Sequence, residues 1–229
     1  KDITGGCLSI PDDKMSEFWS IYYKHVFTNK NKEHLTERQL RNGEGPILID
    51  LDFRYSVDIT DRQHGSEFIE DIIALYLQEL NKIKNFESIG ECSFPIYVFE
   101  KPNVNILSDS DKTKDGIHII IGIKTSNAEQ MFLRENVKDG LKTIITDHEI
   151  PITNDIDDVL DKGITKGDTN WQMYGSCKPG NETYQLVNNC TVKYTNTSVN
   201  FEDNFEFENN PNTSEFNLKK NIHKLSARY

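Results

Sequence analysis

Two aspartates one residue apart open the chemistry of this chain, in Ile47-Leu48-Ile49-Asp50-Leu51-Asp52-Phe53-Arg54. On a strand, period two sets Leu48, Asp50, Asp52 and Arg54 on one face and Ile47, Ile49, Leu51 and Phe53 on the other. Carboxylates so placed repel each other unless a cation sits between them. The plainer alternative is an edge strand with two solvated aspartates, but flanks this apolar predict a central, buried strand. A second segment, Lys114-Asp115-Gly116-Ile117-His118-Ile119-Ile120-Ile121-Gly122, alternates likewise. It sets Lys114, Gly116 and His118 against Ile117, Ile119, Ile121 and Ile123. Lys and His donate to phosphate oxygens, and glycine admits a ligand close to the backbone. A histidine in an isoleucine strand is otherwise a satisfied core residue; the matching acidic stripe favours a site. A third region runs Val159-Leu160-Asp161-Lys162-Gly163-Ile164, then Asn170-Trp171-Gln172-Met173-Tyr174-Gly175-Ser176-Cys177-Lys178. Asp161 ends an apolar pair, and Lys178 sits in a Gly/Ser/Pro turn able to wrap a phosphate. Alone, this third segment reads equally as an acidic loop, a strand and a turn.

The elements that must position these residues follow from periodicity and punctuation. A helix starts at Pro11-Asp12-Asp13, with Phe18, Ile21, Tyr22 and His25 at helical spacing. Strand 47–53 follows a Gly43/Gly45/Pro46 turn. Phe68 to Leu80 is apolar at helical spacing and ends near Lys84. Strands are predicted over 95–100 and 117–123, with a polar loop over 102–112. Residues 127 to about 146 read as one or two helices, with a break near Gly140. Residues 151–167 form an acidic, irregular or briefly helical connection. Strand pieces begin at Trp171 and Tyr184, and a short helix over 215–225 closes the chain. The class is mixed α/β (α+β), with helices on one side of a sheet.

Composition bounds the function. The 229 residues, 36% hydrophobic and 10% aromatic, suit one large domain or two closely joined modules, with a sizeable core. No apolar run approaches the roughly 20 residues of a membrane span, and none after Lys1 resembles a signal peptide. Cys7, Cys92, Cys177 and Cys190 are far apart, against a zinc knuckle or disulfide framework. These features predict a reduced, intracellular protein without a membrane partner, whose Asn-rich sequons arise by chance. With 26 bases and 37 acids the net charge is −11, which excludes a generally basic DNA-coating protein. The excess is local: residues 144–161 hold six acids and 195–215 hold five, both without a Lys or Arg, whereas 14–41 is +3. A local basic groove is therefore compatible with the charge. The tail from Thr195, where Phe201, Phe205 and Phe207 alternate with acids, predicts a poorly ordered linker or loosely packed edge strand. Its other reading is a docking peptide for a basic partner.

The three motifs in this order resemble the archaeo-eukaryotic primase superfamily, in its primase–polymerase branch and the primase half of primase–helicases of large DNA viruses. The resemblance covers residues 5–194. It implies a primase core, an N-terminal α/β module packed on an RRM-like sheet, within residues 1–194, followed by an acidic Asn-rich tail, 195–229. It implies template-directed nucleotidyl transfer in DNA replication, on a single-stranded DNA template, with NTP or dNTP as substrate. Asp50, Asp52 and Asp161 would be catalytic ligands of two Mg²⁺ or Mn²⁺ ions. Lys114, Gly116, His118 and Lys178 would hold the triphosphate; Asn170, Gln172 and Ser176 would be nucleotide contacts. Many relatives have Arg where Gln172 stands and Ser where Gly116 stands, so a cationic contact and a hydroxyl are absent there. A helicase domain in the full-length chain is a further implication, as is a viral source, with action in the host cytoplasm or nucleus. The rival readings are a catalytically inactive nucleic-acid-binding or assembly domain, and a metal-dependent replication-initiation nuclease. The nuclease wants a His-hydrophobe-His pair, which the sequence lacks.

Overall fold

The computed structural model describes residues 6–39, 43–108, 110–209 and 216–229. Gly5, Arg41 and the tail stretch 210–215 lie outside them. The first half runs α1 (Met15–Tyr23), β1 (Thr36–Glu37), β2 (Glu44–Ser56), α2 (Ser66–Lys84), α3 (Phe86–Ile89) and β3 (Cys92–Glu100). There follow β4 (Asn105–Ile106), β5 (Lys112–Ser126), α4 (Asn127–Asp147), α5 (Ile156–Val159) and α6 (Lys162–Lys166). The chain closes with β6 (Trp171–Gln172), β7 (Gln185–Tyr194), β8 (Phe205–Asn209) and α7 (Leu218–Asn221). The main sheet has the order β2-β5-β3-β7-β8, with β4 added on β5, and its pairs are antiparallel. The expected α/β (α+β) class is the one observed.

Alternation builds the sheet as anticipated. Ile47, Ile49, Leu51 and Phe53 of β2 and Ile117, Ile119 and Ile121 of β5 turn to one face and pack against α2 and α4. Helix α4 starts with a capping box: Ser126 Oγ accepts from Glu129 N at 3.3 Å, and Glu129 Oε2 accepts from Ser126 N at 2.7 Å. Of the one or two helices expected, a single one forms, unbroken at Gly140. A Cβ there would lie 2.6 Å from Leu75 Cδ1, so the glycine serves the close approach of α4 to α2.

Strand β2 is not central. It ends the ladder order, and the acidic connection covers its free edge. Thr153 N donates to Arg54 O at 2.7 Å, Asn154 Nδ2 donates to Asp52 O at 2.9 Å, and Asp161 N donates to Asp50 O at 3.0 Å. That cover explains why a ladder-end strand reads as buried. The opposite face of the sheet is covered too, which one-sided helices did not anticipate. There Leu48, Ile120, Tyr97 and Phe99 pack with Ile164, Trp171, Leu225 and Ala227. Strand β6 pairs with β1, outside the main sheet.

The tail up to Asn209 forms an edge strand, one of the alternatives expected, and is neither a poorly ordered linker nor a free docking peptide. Strand β8 pairs with β7, setting Phe205 opposite Tyr194. Phe205 stands 5.4 Å from the Phe86 ring and 4.9 Å from Phe201, so two of the three phenylalanines join the core. Asn204 Oδ1 orders the preceding turn by accepting from Thr197 N at 2.9 Å and Ser198 N at 2.7 Å. Glu37 docks the other end of the tail: its carboxylate accepts from the Ser226 hydroxyl and, at 2.9 Å, from Ala227 N. Burial pushes this carboxyl up to about 7, against those hydrogen bonds and the nearby Arg228.

Two outcomes are expected. Phe205→Ala should lower stability in urea unfolding by about 1–3 kcal/mol, less than a fully buried phenylalanine because the ring is half-buried; a loose tail would show no change. Because the folded-state value of Glu37 is raised above its ordinary 4.5, its stabilising effect is complete below that pH and is lost as pH rises towards 7. Glu37→Gln should therefore flatten the thermal-stability profile over that window and raise Tm at pH 8.

Candidate active site

The β2–β5 register sets Asp50 opposite His118, Asp52 opposite Gly116 and Arg54 opposite Lys114. His118 Nε2 lies 3.3 Å from Asp50 Oδ1, and Lys114 Nζ lies 2.8 Å from Asp52 Oδ2. Asp50 Oδ1 is nevertheless buried without an aligned hydrogen bond. Burial alone would raise the Asp50 pKa, but His118, Lys114 and Lys178 outweigh it and hold the carboxyl below its ordinary range. Asp52 moves the other way. Burial and the charge of Asp50 push it up, and Lys114 offsets this only in part. A buried, under-bonded oxygen beside a carboxylate whose ionisation burial and repulsion oppose is an environment that a divalent cation would relieve.

Aromatic rings fix the histidine. Tyr184 stacks on His118 with centroids 3.7 Å apart, and Trp171 approaches it at 4.3 Å. The Tyr184 hydroxyl lies over Gly116: a Cβ there would stand 2.5 Å from Oη and 3.6 Å from Asp52 Oδ1. Serine at this position would therefore displace the tyrosine, which accounts for the glycine. Burial and the charges of Asp50, Asp52 and Asp115 keep the Tyr184 hydroxyl protonated, as a donor. Lys101 Nζ lies 5.1 Å from the Tyr184 ring centroid and donates to Glu182 O at 3.0 Å. Burial and the adjacent charge of Lys114 pull its pKa down. Neither Tyr184 nor Lys101 stands in a motif; the pairing of β3 with β5 at Phe99–His118 and with β7 at Glu100–Gln185 carries them to the site.

Behind this face, Arg62 clamps β5. Its Nε and Nη2 each donate to Asp115 at 3.0 Å, and its Nη1 donates to Glu100 at 2.5 Å. Asp115 Oδ1 also accepts from Gly116 N at 3.0 Å. A second cation, the buried Arg134 of α4, holds the acidic connection. Its Nη2 donates to Leu160 O at 2.8 Å and to Asp157 Oδ1 at 3.0 Å.

The remaining expected residues divide. Asp161 is joined to β2 through Asp50 O, yet its side-chain Oδ1 caps α6 by accepting from Gly163 N and Ile164 N. Among the described residues, no three His, Cys, Asp or Glu groups form a closed ligand set. Lys178 is exposed, with its charge felt at Asp50. Asn170 Nδ2 donates to Thr36 Oγ1 at 3.3 Å, Gln172 Nε2 to Leu35 O at 2.7 Å, and Ser176 Oγ lies 2.8 Å from the Tyr22 hydroxyl. These three bond the wall of the site to α1 and the segment around β1.

Residues 2–190 match the family described as the C962R protein N-terminal AEP domain. The chain belongs to this AEP family. Membership bears out the resemblance to archaeo-eukaryotic primases. A relative, "Putative helicase L207/L206" of Acanthamoeba polyphaga mimivirus, is 32% identical over 196 residues, covering 85% of this chain and 20% of that protein. The AEP domain described here thus spans about a fifth of that relative's length. No helix among the described residues is long and apolar enough to cross a membrane.

The opposed shifts predict opposed effects in the AEP domain. With Asp52 raised, its ionisation costs stability increasingly as pH rises above 3.8; with Asp50 lowered, its ionisation contributes stability that is lost as pH falls below 3.8. At pH 7 in EDTA, Asp52→Asn should raise Tm and Asp50→Asn should lower it. Mn²⁺ should raise the wild-type Tm and do so less in either variant.

Proposed function

We propose that this AEP domain is a template-directed nucleotidyltransferase, a DNA primase or primase–polymerase that makes or extends primers on single-stranded DNA. The observation carrying this reading is the ladder itself, an acid pair directly opposite a glycine and a set of phosphate-donor side chains. Asp50 and Asp52 would hold two Mg²⁺ or Mn²⁺ ions, with Asp161 the third ligand by its position beside Asp50. Bound there, the ions would activate the primer 3′-hydroxyl and stabilise the departing pyrophosphate.

The chain's own residues do the positioning. Lys114, His118 and Lys178, joined by Lys101, donate to the triphosphate of an NTP or dNTP. Gly116 leaves room for the Tyr184 hydroxyl above the strand, and Trp171 with Tyr184 keeps the His118 ring in one orientation. Asn170, Gln172 and Ser176 shape the wall. The name of the mimivirus relative supports a helicase as the domain's companion in a longer chain, with action where viral DNA is replicated.

A second reading, a catalytically inactive nucleic-acid-binding domain, is favoured by Lys114 lying on Asp52 and by Asp161 capping a helix. Labelled nucleotide, single-stranded template and Mn²⁺ separate the two. Wild type should extend primers, and Asp50→Ala or Asp161→Ala should abolish extension with the fold intact. His118→Ala and Lys178→Ala should each lower kcat/KM ten- to a hundredfold, about 1.5–3 kcal/mol per charge-assisted contact, without changing template affinity. No product from wild type would support the inactive domain, and shortened strands would support a nuclease.

A further inference from the structure

The last fourteen residues, 216–229, hold Lys219, Lys220, Lys224 and Arg228 and no acid. They are +4 and residues 14–41 are +3, so in a chain of net −11 everything else carries −18. The fold brings these two basic stretches together. Leu218 and Ile222 pack with Tyr22, Val26 and Met173, while Leu225 and Ala227 pack with Trp171, whose ring lies against His118. The apolar side of the segment is thus buried next to the candidate site, and Lys219, Lys220 and Arg228 are exposed. Lys219, Lys220 and Lys224 form no ion pair with an acid among the described residues.

Between this segment and the sheet lies a cleft of about 460 Å³, lined in part by Tyr97, Asn189, Phe216, Asn221, Lys224 and Tyr229. Phe216 meets Tyr97 edge-on at 5.9 Å, and Lys124 Nζ lies 5.8 Å from the Tyr229 ring centroid. Rings, amides and ammonium groups in one groove match the faces, edges and phosphates of unpaired nucleotides. An acidic peptide or a lipid surface would use the charge and leave the rings and amides unmatched.

We infer that this groove and its basic strap, residues 216–229, bind single-stranded nucleic acid beside the catalytic face. The inference rests on the proposed function in that the strand would be the template. Binding is read by anisotropy of a labelled oligothymidylate in EDTA without nucleotide, so it does not depend on catalysis. Lys219→Gln/Lys220→Gln/Lys224→Gln should weaken binding at least tenfold with Tm unchanged. Its plot of log affinity against log salt should be shallower by about 2, at roughly 0.7 per lost contact on a single strand. Phe216→Ala should weaken binding at every salt concentration, and Lys142→Gln, on α4, should leave it unchanged. Unchanged affinity and slope in the triple variant would overturn the inference. So would equal wild-type affinity for blunt duplex DNA, or binding to anionic phosphatidylserine vesicles but not to the oligonucleotide. Binding that behaves as expected in a protein that extends no primer would sustain this surface and defeat the nucleotidyltransferase reading alone.

Discussion

The register between β2 and β5 is the constraint on which the site depends. Side chains alternate faces with period two, so a slip of one residue would send Ile117, Ile119 and Ile121 of β5 to the polar side. Ile117, Ile119, Ile120 and Ile121 are fully buried, which makes such a slip costly and pins the pairing. Asp50 must then face His118, and Asp52 must face Gly116 and Lys114. The close acids and cations are imposed by hydrophobic packing on the other side of the same strands. Their opposed pKa shifts follow, because one acid takes most of the positive field and the other takes its neighbour's repulsion.

Two arginines, one buried and one half-buried, serve geometry here. Arg134 is 2% exposed and ties the carbonyl of Leu160 to α4, so the chain meets the edge of β2 at a defined place and Asp161 follows beside Asp50. Arg62 does the same for β5 from behind, gripping Asp115 between the two residues that face Asp52 and Arg54. Removing Arg62 would leave the Asp115 carboxylate buried and uncompensated, and removing the carbonyls' hold on Arg134 would do the same to that guanidinium, so each fixes position more than it adds net stability. On the site face the cations are lysines instead, with Lys114 paired to Asp52 and Lys101 to the Glu182 carbonyl.

Charge is segregated along the same lines. The acidic connection is spent on covering an exposed strand edge, a place where charge also discourages unwanted pairing. The acidic part of the tail becomes an edge strand, with glutamates outward and Phe201 and Phe205 inward. The basic terminal stretches gather over the face that carries Asp50 and His118. An acidic protein can in this way present a local surface suited to phosphate chemistry.

Much of the fold and the centre of the site were legible in the sequence, since helical and strand periodicity are local properties. The faces of β2 and β5, the extent of α2 and the gathering of Asp50, Asp52, Lys114, Gly116 and His118 on one face could all be read from spacing, and motif order pointed to the family. Tertiary structure decided the rest. It made β2 a ladder-end strand under cover, carried Lys101 and Tyr184 to Gly116, turned Ser176 towards Tyr22 and gave Asp161 a capping role. It also packed the tail and laid its basic end beside Trp171. Each of these depends on contacts between residues far apart in the chain, and pairing order and packing distance have no counterpart in local periodicity.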